Sequence, residues 1–198
     1  MRRIGITGSI ATGKSTLLAA FEKCGVPVFS ADQAVADLYA GKAVAPVEQL
    51  FPGVAENGIV NRAELSRRLA ADPTGFKQLE AVVHPLVRET IAQFLDRMAA
   101  DGHALAAVEV PLLFESGHDY GFDTIAVTFV DETIQRERIM ARPGMTVEKM
   151  ESLLARQMPQ AEKKDRADWL FDTTRPIAAI EAEVAEIVAK IRTERQDR

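Results

Sequence analysis

Short apolar runs alternate along the chain with segments in which apolar residues recur every three or four positions. The short runs lack a strict polar–apolar alternation, so they predict strands that are buried on both faces of a parallel sheet. The helical periods between them predict an α/β fold that begins with a right-handed β-α-β unit. The predicted strands cover Arg3–Thr7, Val26–Phe29, Ala104–Val110, Thr124–Val130 and Trp169–Phe171.

Two further helical stretches follow from the same pattern. One closes the chain, with apolar residues at helical spacing from Ile177 to Ile191, and the residues after it predict a frayed polar tail. The other lies in residues 33–102, which contain no convincing strand and carry a helical stripe from Leu79 to Met98. Pro85 interrupts this stripe and predicts a kink or a new helix start, because proline is tolerated best in the first turn of a helix. The block predicts a helical insert that is suited to binding an acceptor.

The composition is that of an ordinary globular protein. Of 198 residues, 47% are hydrophobic and 27% are charged, the formal net charge is −5, and there is one cysteine, Cys24. We expect a cytoplasmic protein, since a lone thiol suits a reducing compartment and no apolar run reaches the ~18 residues of a membrane span. The acidic balance predicts no face for nucleic acid. These features leave the oligomeric state undetermined.

The segment GITGSIATGKST matches the phosphate-loop pattern G-x-x-x-x-G-K-[ST] between a predicted strand and a predicted helix. Glycines let the backbone wrap around phosphate groups, and the helix N-terminus adds partial positive charge. We expect Lys14 to bridge the β- and γ-phosphates of ATP and the Ser15 hydroxyl to coordinate Mg²⁺. The predicted nucleotide-binding residues are Gly8, Ser9, Ile10, Ala11, Thr12, Gly13, Lys14, Ser15 and Thr16.

Asp32 follows the second predicted strand, at the carboxyl edge of the sheet where open α/β folds bind ligands. Its carboxylate could accept a proton from an attacking hydroxyl or help to hold Mg²⁺. A helix N-cap explains an aspartate at this position equally well. The guanine-specific motif N-K-x-D does not follow the late strands, which weighs against a GTPase.

Two other carboxylates stand at the ends of hydrophobic strands. Glu109 lies near the end of the third predicted strand, and Asp131 follows the fourth. Either could act on Mg²⁺ through water. We favour Glu109, because the strand beside a phosphate loop usually supplies that group and because Asp131 equally suits an N-cap.

The arginine-rich segment RERIMARPGM predicts a helix that ends in a Pro-Gly turn before a second helix. Charge neutralisation is the main catalytic task in phosphoryl transfer, so arginines on a hinged lid, over about residues 140–165, fit a kinase. We favour Arg142 as catalytic because it lies at the tip of this hairpin. For Arg136, Arg138 and Arg156, phosphate contacts and ion pairs with nearby glutamates both stay open.

Together these motifs resemble those of the dephospho-CoA kinase family. GITGSIATGKST looks like the opening loop of that family, and GVPVFSAD is similar to its second motif. The segments LEAVVHPLVR, VEVPLLFES, RERIMAR, RQMPQAEK and ADWLFD follow in the family's order, so the resemblance spans almost the whole chain.

The resemblance implies ATP-dependent phosphorylation of the ribose 3′-hydroxyl of dephospho-CoA, giving CoA and ADP. It implies a three-layer α/β/α P-loop kinase with a five-stranded parallel sheet of order 2-3-1-4-5. Residues 1–32 and 103–198 would form the nucleotide-binding core, residues 33–102 the acceptor-binding insert, and residues of about 140–165 the lid.

The resemblance also assigns the family's site residues to matching positions of this sequence. The resemblance makes Asp32 the general base and Arg142 the lid arginine that meets the phosphates. His84 and Arg88 fall in the acceptor-domain motif and would contact the CoA precursor, while a structural role for His84 stays open.

The chain departs from the family pattern at several positions. Ser9 stands where the loop usually has glycine and narrows the allowed backbone angles. Glu109 replaces an aspartate, and Thr173 replaces an asparagine, which puts any adenine contact there in doubt. Ser30 replaces the first aspartate of the second motif, and Pro143 replaces an aspartate at the lid tip.

Two other functions fit the phosphate loop. A nucleoside or nucleotide kinase would share the loop and the arginine-rich lid. A regulatory P-loop NTPase would hydrolyse the nucleotide without an acceptor and would carry a switch segment or a guanine motif, neither of which the sequence offers.

Overall fold

A computed structural model describes residues 1–196 of the chain. The strands in this part are β1 (Arg2–Gly8), β2 (Val28–Ser30), β3 (Ala55–Glu56), β4 (Ile59–Val60), β5 (Leu105–Glu109), β6 (Thr124–Phe129) and β7 (Trp169–Asp172). The helices are α1 (Lys14–Lys23), α2 (Ala31–Leu38), α3 (Val44–Leu50), α4 (Arg62–Ala71), α5 (Gly75–Ala100), α6 (Glu132–Met140), α7 (Val147–Ala155), α8 (Gln160–Asp165) and α9 (Ile177–Gln196).

The central sheet has the strand order β2-β5-β1-β6-β7, and every neighbouring pair is parallel. Counted among the strands of this sheet alone, the order is 2-3-1-4-5, which confirms the prediction. β5 is buried at every position, as expected for a parallel strand that is covered on both faces. β1 lies in the middle of the sheet, so the loop that follows it emerges between β5 and β6.

Helices α1 and α9 pack against each other and join β1 in the hydrophobic core. The helical spacing of the closing segment is confirmed, since Ile180, Val184, Val188 and Ile191 are all buried. α9 continues to Gln196, so the predicted frayed tail is wrong up to that residue. The last two residues of the predicted tail lie outside the described part of the chain.

The chain divides into two compact units. The first comprises Met1–Ser30 and the chain from Leu95 onward, and it contains the central sheet. The second comprises Ala31–Phe94, with α2, α3, α4 and most of α5.

The second unit also contains strands, which the sequence analysis did not predict. β3 and β4 pair in antiparallel register, Ala55 with Val60 and Glu56 with Ile59. Asn57 and Gly58 join them, with φ angles of 52° and 78°. Asn-Gly with positive φ at both residues is typical of a tight type I′ hairpin turn. This dipeptide could therefore have indicated the hairpin from the sequence.

Pro85 lies inside α5, which runs without interruption from Gly75 to Ala100. The predicted new helix start is therefore wrong. An interior proline costs about 3 kcal/mol, and burial of apolar side chains on both sides of it offsets that cost. Within residues 1–196, neither α5 nor any other helix is both long and apolar enough to cross a bilayer. The buried residues of α5 at helical spacing are Leu79, Val83, Val87, Ile91 and Leu95.

Candidate active site

The loop between β1 and α1 is bracketed by two glycines that no other residue could replace without strain. Gly8 has a φ of 153°, and a β-carbon there would lie 2.6 Å from the carbonyl oxygen of Thr128. Gly13 has a φ of 86°, and its β-carbon would lie 2.9 Å from the hydroxyl oxygen of Thr173. The backbone can therefore follow this path only with glycine at both ends.

Three successive carbonyl groups of the loop accept hydrogen bonds from side chains outside it. These bonds hold the loop backbone in place from outside. The donors are on α6 and just after β7. The bonds join Gln135 Nε2 to Ile10 at 2.8 Å, an Arg138 nitrogen to Ala11 at 3.4 Å and the Thr173 hydroxyl to Thr12 at 2.8 Å.

Lys14 begins α1 and folds back over the loop. Its Nζ donates to the carbonyl oxygens of Gly8 and Ser9 at 3.1 and 3.2 Å. Within the described part of the chain, no side chain caps the N-terminus of α1. The first N–H groups of α1 and the Lys14 ammonium thus lie together, which suits the binding of a polyphosphate.

The backbone strain in the loop lies at Ala11. Its φ is 63°, whereas Ser9 is not among the described non-glycine residues with positive φ. Ser9 is buried, and its carbonyl oxygen also accepts the Thr12 hydroxyl at 2.8 Å. Serine at position 9 therefore causes no positive-φ strain, and alanine at position 11 carries the strain of the loop instead, about 1–2 kcal/mol.

The predicted helix–turn–helix is present as α6, a turn over residues 141–146, and α7, and is named the lid hairpin below. Its role as a lid stays a prediction. Arg142 lies in this turn and its side chain is exposed. Asp131 is the N-cap of α6, where its carboxylate accepts the N–H of Thr133 at 2.8 Å. The N-cap interpretation of Asp131 is therefore confirmed.

The arginines of the lid region have different partners. Arg136 donates to Glu151 of α7 at 2.6 Å and lies 3.7 Å from Glu132, so it connects the two lid helices. Arg138 donates to the hydroxyl and carbonyl oxygens of Thr173 at 3.3 and 3.0 Å, as well as to the loop. Arg136 thus forms the ion pairs with glutamates that the sequence left open, and Arg138 holds the phosphate loop. Arg156 is exposed just after α7.

A buried ion pair anchors the segment that follows the lid. Nζ of Lys163 lies 2.7 Å from Oε1 of Glu115, and the two side chains are 0% and 16% exposed. The same oxygen accepts the N–H of Met158 at 2.8 Å. Glu115 ends the PLLFE segment, so the pair fixes the segment after α7 and α8 to the loop that follows β5.

A cavity of about 750 Å³ opens beside the phosphate loop. Ser9 of the loop lines it, together with Gln135 and Arg136 of α6 and Glu151 of α7. Its volume lies within the range of small-molecule sites, and it leaves space between the loop and the lid helices.

The residues present fit a magnesium ion. Ser15 is exposed in the first turn of α1, and Glu109 is buried at the end of β5, opposite Ile6 of β1. The Ser30 hydroxyl donates to Glu109 at 3.2 Å. A hydroxyl and a carboxylate are oxygen ligands of the kind that Mg²⁺ prefers, and the ion usually completes its shell with water and phosphate oxygens.

The other predicted site residues belong to the second unit. Asp32 is exposed in the first turn of α2, and the helix already begins at Ala31, so Asp32 does not precede it as an N-cap would. His84 and Arg88 lie one turn apart on α5 and are both partly buried. Nε of Arg88 is buried and has no hydrogen-bond partner within the described residues.

Comparison with known proteins identifies the family. The family model described as dephospho-CoA kinase matches residues 2–178. The chain belongs to the dephospho-CoA kinase family. The dephospho-CoA kinase of Rhizobium etli is 48% identical over 192 residues, which cover 97% of this chain and 95% of that protein.

Solved structures support the fold. A crystal structure of a protein from Thermus thermophilus superposes with a TM-score of 0.79 at 33% identity, over 96% of this chain and 97% of that one. The dephospho-CoA kinase from Campylobacter jejuni gives a TM-score of 0.75 at 24% identity, over 98% and 100% of the two chains, which bears on the fold alone. The three-layer α/β fold with a five-stranded parallel sheet is thus confirmed.

Sequence reasoning missed the residues that support the loop from outside. Thr173 and Gln135 each donate to a loop carbonyl oxygen, and Lys163 pairs with Glu115. Each partner is far away along the chain, so no local pattern marks it. For Gln135 and Lys163 the available signal was a polar residue at an inward-facing helical position, whereas Thr173, which follows β7, offered no such signal.

Proposed function

We propose that this chain transfers the γ-phosphoryl group of ATP to the ribose 3′-hydroxyl of dephospho-CoA. The oxygen of the hydroxyl forms a bond to the γ-phosphorus, the bond from that phosphorus to the β-γ bridging oxygen breaks, and ADP leaves with the electron pair. The observation that carries the proposal is the ordered phosphate loop in a chain whose family match covers residues 2–178.

The loop and the lid hold the donor. The N–H groups at the start of α1 and the Lys14 ammonium bind the β- and γ-phosphates, and Arg142 adds positive charge from the lid turn. These groups oppose the negative charge on the transferring phosphoryl group, where electrostatic stabilisation contributes most. Arg138 contributes indirectly, because it keeps the loop in shape.

Ser15 would hold Mg²⁺, with Glu109 acting on the ion through water. The ion supplies charge neutralisation at the phosphates when bound. Asp131 already caps α6, which favours Glu109 over Asp131 in this role.

Asp32 accepts the proton of the ribose hydroxyl as the general base. Its carboxylate is exposed, and it follows the end of β2 by two residues along the chain. This exposure leaves it accessible to an acceptor, and a positioned carboxylate oxygen can accept the proton of a hydroxyl.

His84 and Arg88 contact the acceptor. Arg88 carries a buried Nε without a hydrogen-bond partner in residues 1–196, and a buried donor without a partner costs about 1–3 kcal/mol. An anionic acceptor such as dephospho-CoA would satisfy it.

Replacement of Arg88 by glutamine is expected to raise KM for dephospho-CoA about tenfold or more, since hydrogen bonds of charged groups contribute ~1.5–3 kcal/mol. KM for ATP should stay within about twofold if Arg88 serves the acceptor alone. Arg97 is exposed near the end of the same helix, so Arg97→Gln is the matched control. An unchanged KM for dephospho-CoA in Arg88→Gln would remove Arg88 from the acceptor site.

The reaction itself is tested by offering ATP with dephospho-CoA and, in parallel, with a panel of nucleosides and nucleoside monophosphates. We expect CoA and ADP in equal amounts, and no comparable turnover with the panel. Phosphorylation of a nucleoside monophosphate without formation of CoA would favour the nucleotide-kinase alternative. Slow ATP hydrolysis that no acceptor accelerates would favour a regulatory NTPase.

The absence of nucleic-acid and membrane partners and the cytoplasmic location stay predictions.

A further inference from the structure

Three glutamines and the backbone of Ile10 form a hydrogen-bonded series beside the phosphate loop, and the phosphoryl-transfer roles assigned so far use none of these glutamines directly. Oε1 of Gln157 accepts the N–H of Ile10 at 2.8 Å, and Nε2 of Gln135 donates to the carbonyl oxygen of the same residue at 2.8 Å. Nε2 of Gln160 donates to Oε1 of Gln135 at 2.8 Å, and its own Oε1 accepts the N–H of Val130 at 3.2 Å.

The orientation of each amide in this series is fixed by the backbone groups at its ends. The carbonyl oxygen of Ile10 requires a donor, so Gln135 must present Nε2 to it and Oε1 to the other side. That oxygen requires Nε2 of Gln160, which leaves Oε1 of Gln160 for the N–H of Val130. The hydrogen bonds of Gln135 and Gln160 are therefore all satisfied by one orientation of each side-chain amide.

The hydrogen bonds of these three glutamines connect the phosphate loop to both ends of the lid hairpin. Gln135 belongs to α6 and is 4% exposed, Gln157 follows the end of α7, and Gln160 begins α8. Ile10 is the third residue of the phosphate-loop motif, and both polar groups of its backbone are held by these glutamines. A displacement of either lid helix must therefore pull on the loop.

We propose that Gln157, Gln135 and Gln160 are positioning residues that set the conformation of the phosphate loop from the two ends of the lid. Gln157 is the central member, because it holds a loop N–H group rather than a carbonyl group. This inference rests on the proposed function in one respect, since the bound phosphates are taken to be those of ATP. It concerns the binding of ATP alone, so it predicts no direct effect on KM for dephospho-CoA.

The experiment compares Gln157→Leu, which removes the acceptor oxygen at nearly constant volume, with Gln157→Glu, which keeps it. Gln93→Leu, at an exposed glutamine of α5, is the control. Amide hydrogen exchange at Ile10, measured by NMR, and the Kd for ADP, measured by calorimetry, need no acceptor. Steady-state kinetics add KM for ATP and for dephospho-CoA.

We expect Gln157→Leu to raise the exchange rate at Ile10 about tenfold and to lower kcat/KM for ATP about tenfold, the effect of one hydrogen bond. Exchange in the central sheet and KM for dephospho-CoA should stay within about twofold. Gln157→Glu should restore slow exchange at Ile10. Unchanged exchange at Ile10, or faster exchange through the whole sheet, would overturn the proposal, because the second result would mean a general loss of stability.

The coupling to the lid is tested with Gln135→Leu and the double variant. If both glutamines act on the conformation of the same residue, Ile10, the double variant should lose less kcat/KM for ATP than the product of the two single losses. A loss equal to that product would mean independent roles and would contradict the proposed coupling. Failure of the wild-type chain to form CoA would overturn the proposed function alone, since exchange at Ile10 and ADP affinity would still decide the role of Gln157.

Discussion

Replacing Asp32 with asparagine is expected to lower kcat for CoA formation by about 10²–10⁴, the usual contribution of general acid–base catalysis. The amide keeps the size of the side chain and its place in the first turn of α2, but it cannot take the proton of the ribose hydroxyl. ATP binding should persist, because the loop, Lys14 and Arg142 are unchanged. The measurements are kcat by coupled ADP release and the Kd for ATP by calorimetry.

Asp37 offers a matched control on the same helix. It is exposed and its carboxylate accepts Nε2 of Gln33 at 2.9 Å, so Asp37→Asn removes one charge from α2 away from the proposed chemistry. This variant should keep kcat within about twofold, as expected of a surface substitution. Near-normal turnover in Asp32→Asn, with ATP bound normally, would exclude Asp32 as the base.

The second large effect is expected on stability. Replacing Lys163 with methionine should lower the free energy of unfolding by about 3–5 kcal/mol, because among the described residues it leaves the Glu115 carboxylate with one N–H donor, that of Met158. Urea unfolding followed by circular dichroism measures this loss. We expect the midpoint to shift at a nearly constant slope, since the surface exposed on unfolding is almost the same.

Two comparisons separate burial from charge pairing. Glu115→Gln combined with Lys163→Met removes both charges while an amide oxygen can still accept the Met158 N–H, so the double variant should be more stable than Lys163→Met alone. Lys23 and Glu181 form a pair of the same 2.7 Å length at the surface, where Lys23 is 67% exposed. Lys23→Met should therefore cost under about 1 kcal/mol. A loss of that small size in Lys163→Met would show that the buried pair is not an anchor.

Much of the architecture could be predicted because it depends on local patterns. The five strands of the central sheet and the closing helix follow from runs and spacings of apolar residues, and parallel packing buries those residues as expected. The phosphate loop is equally local, since the glycines and Lys14 that define it lie within one motif, although the close contacts that require Gly8 and Gly13 come from Thr128 and Thr173.

The errors arose where tertiary packing outweighs a local rule. Proline usually ends a helix, but apolar burial on both sides of Pro85 keeps α5 continuous. The hairpin β3–β4 is too short to show an alternating pattern, so only its Asn57-Gly58 turn could have indicated it. The supports of the loop, such as Arg138 and Thr173, join residues that are 35 positions apart or more, and no single-sequence pattern encodes such contacts.

The left-handed backbone at Ala11 bears on heat tolerance. Because an L-residue resists this conformation, the loop keeps its shape only while the surrounding side chains hold its carbonyl groups. Warming loosens such side-chain contacts before it melts a buried sheet. Nucleotide binding should therefore fade at a lower temperature than the one at which the sheet unfolds, and bound ATP should delay that loss. The heat-sensitive part of this protein is then its phosphate loop rather than its core.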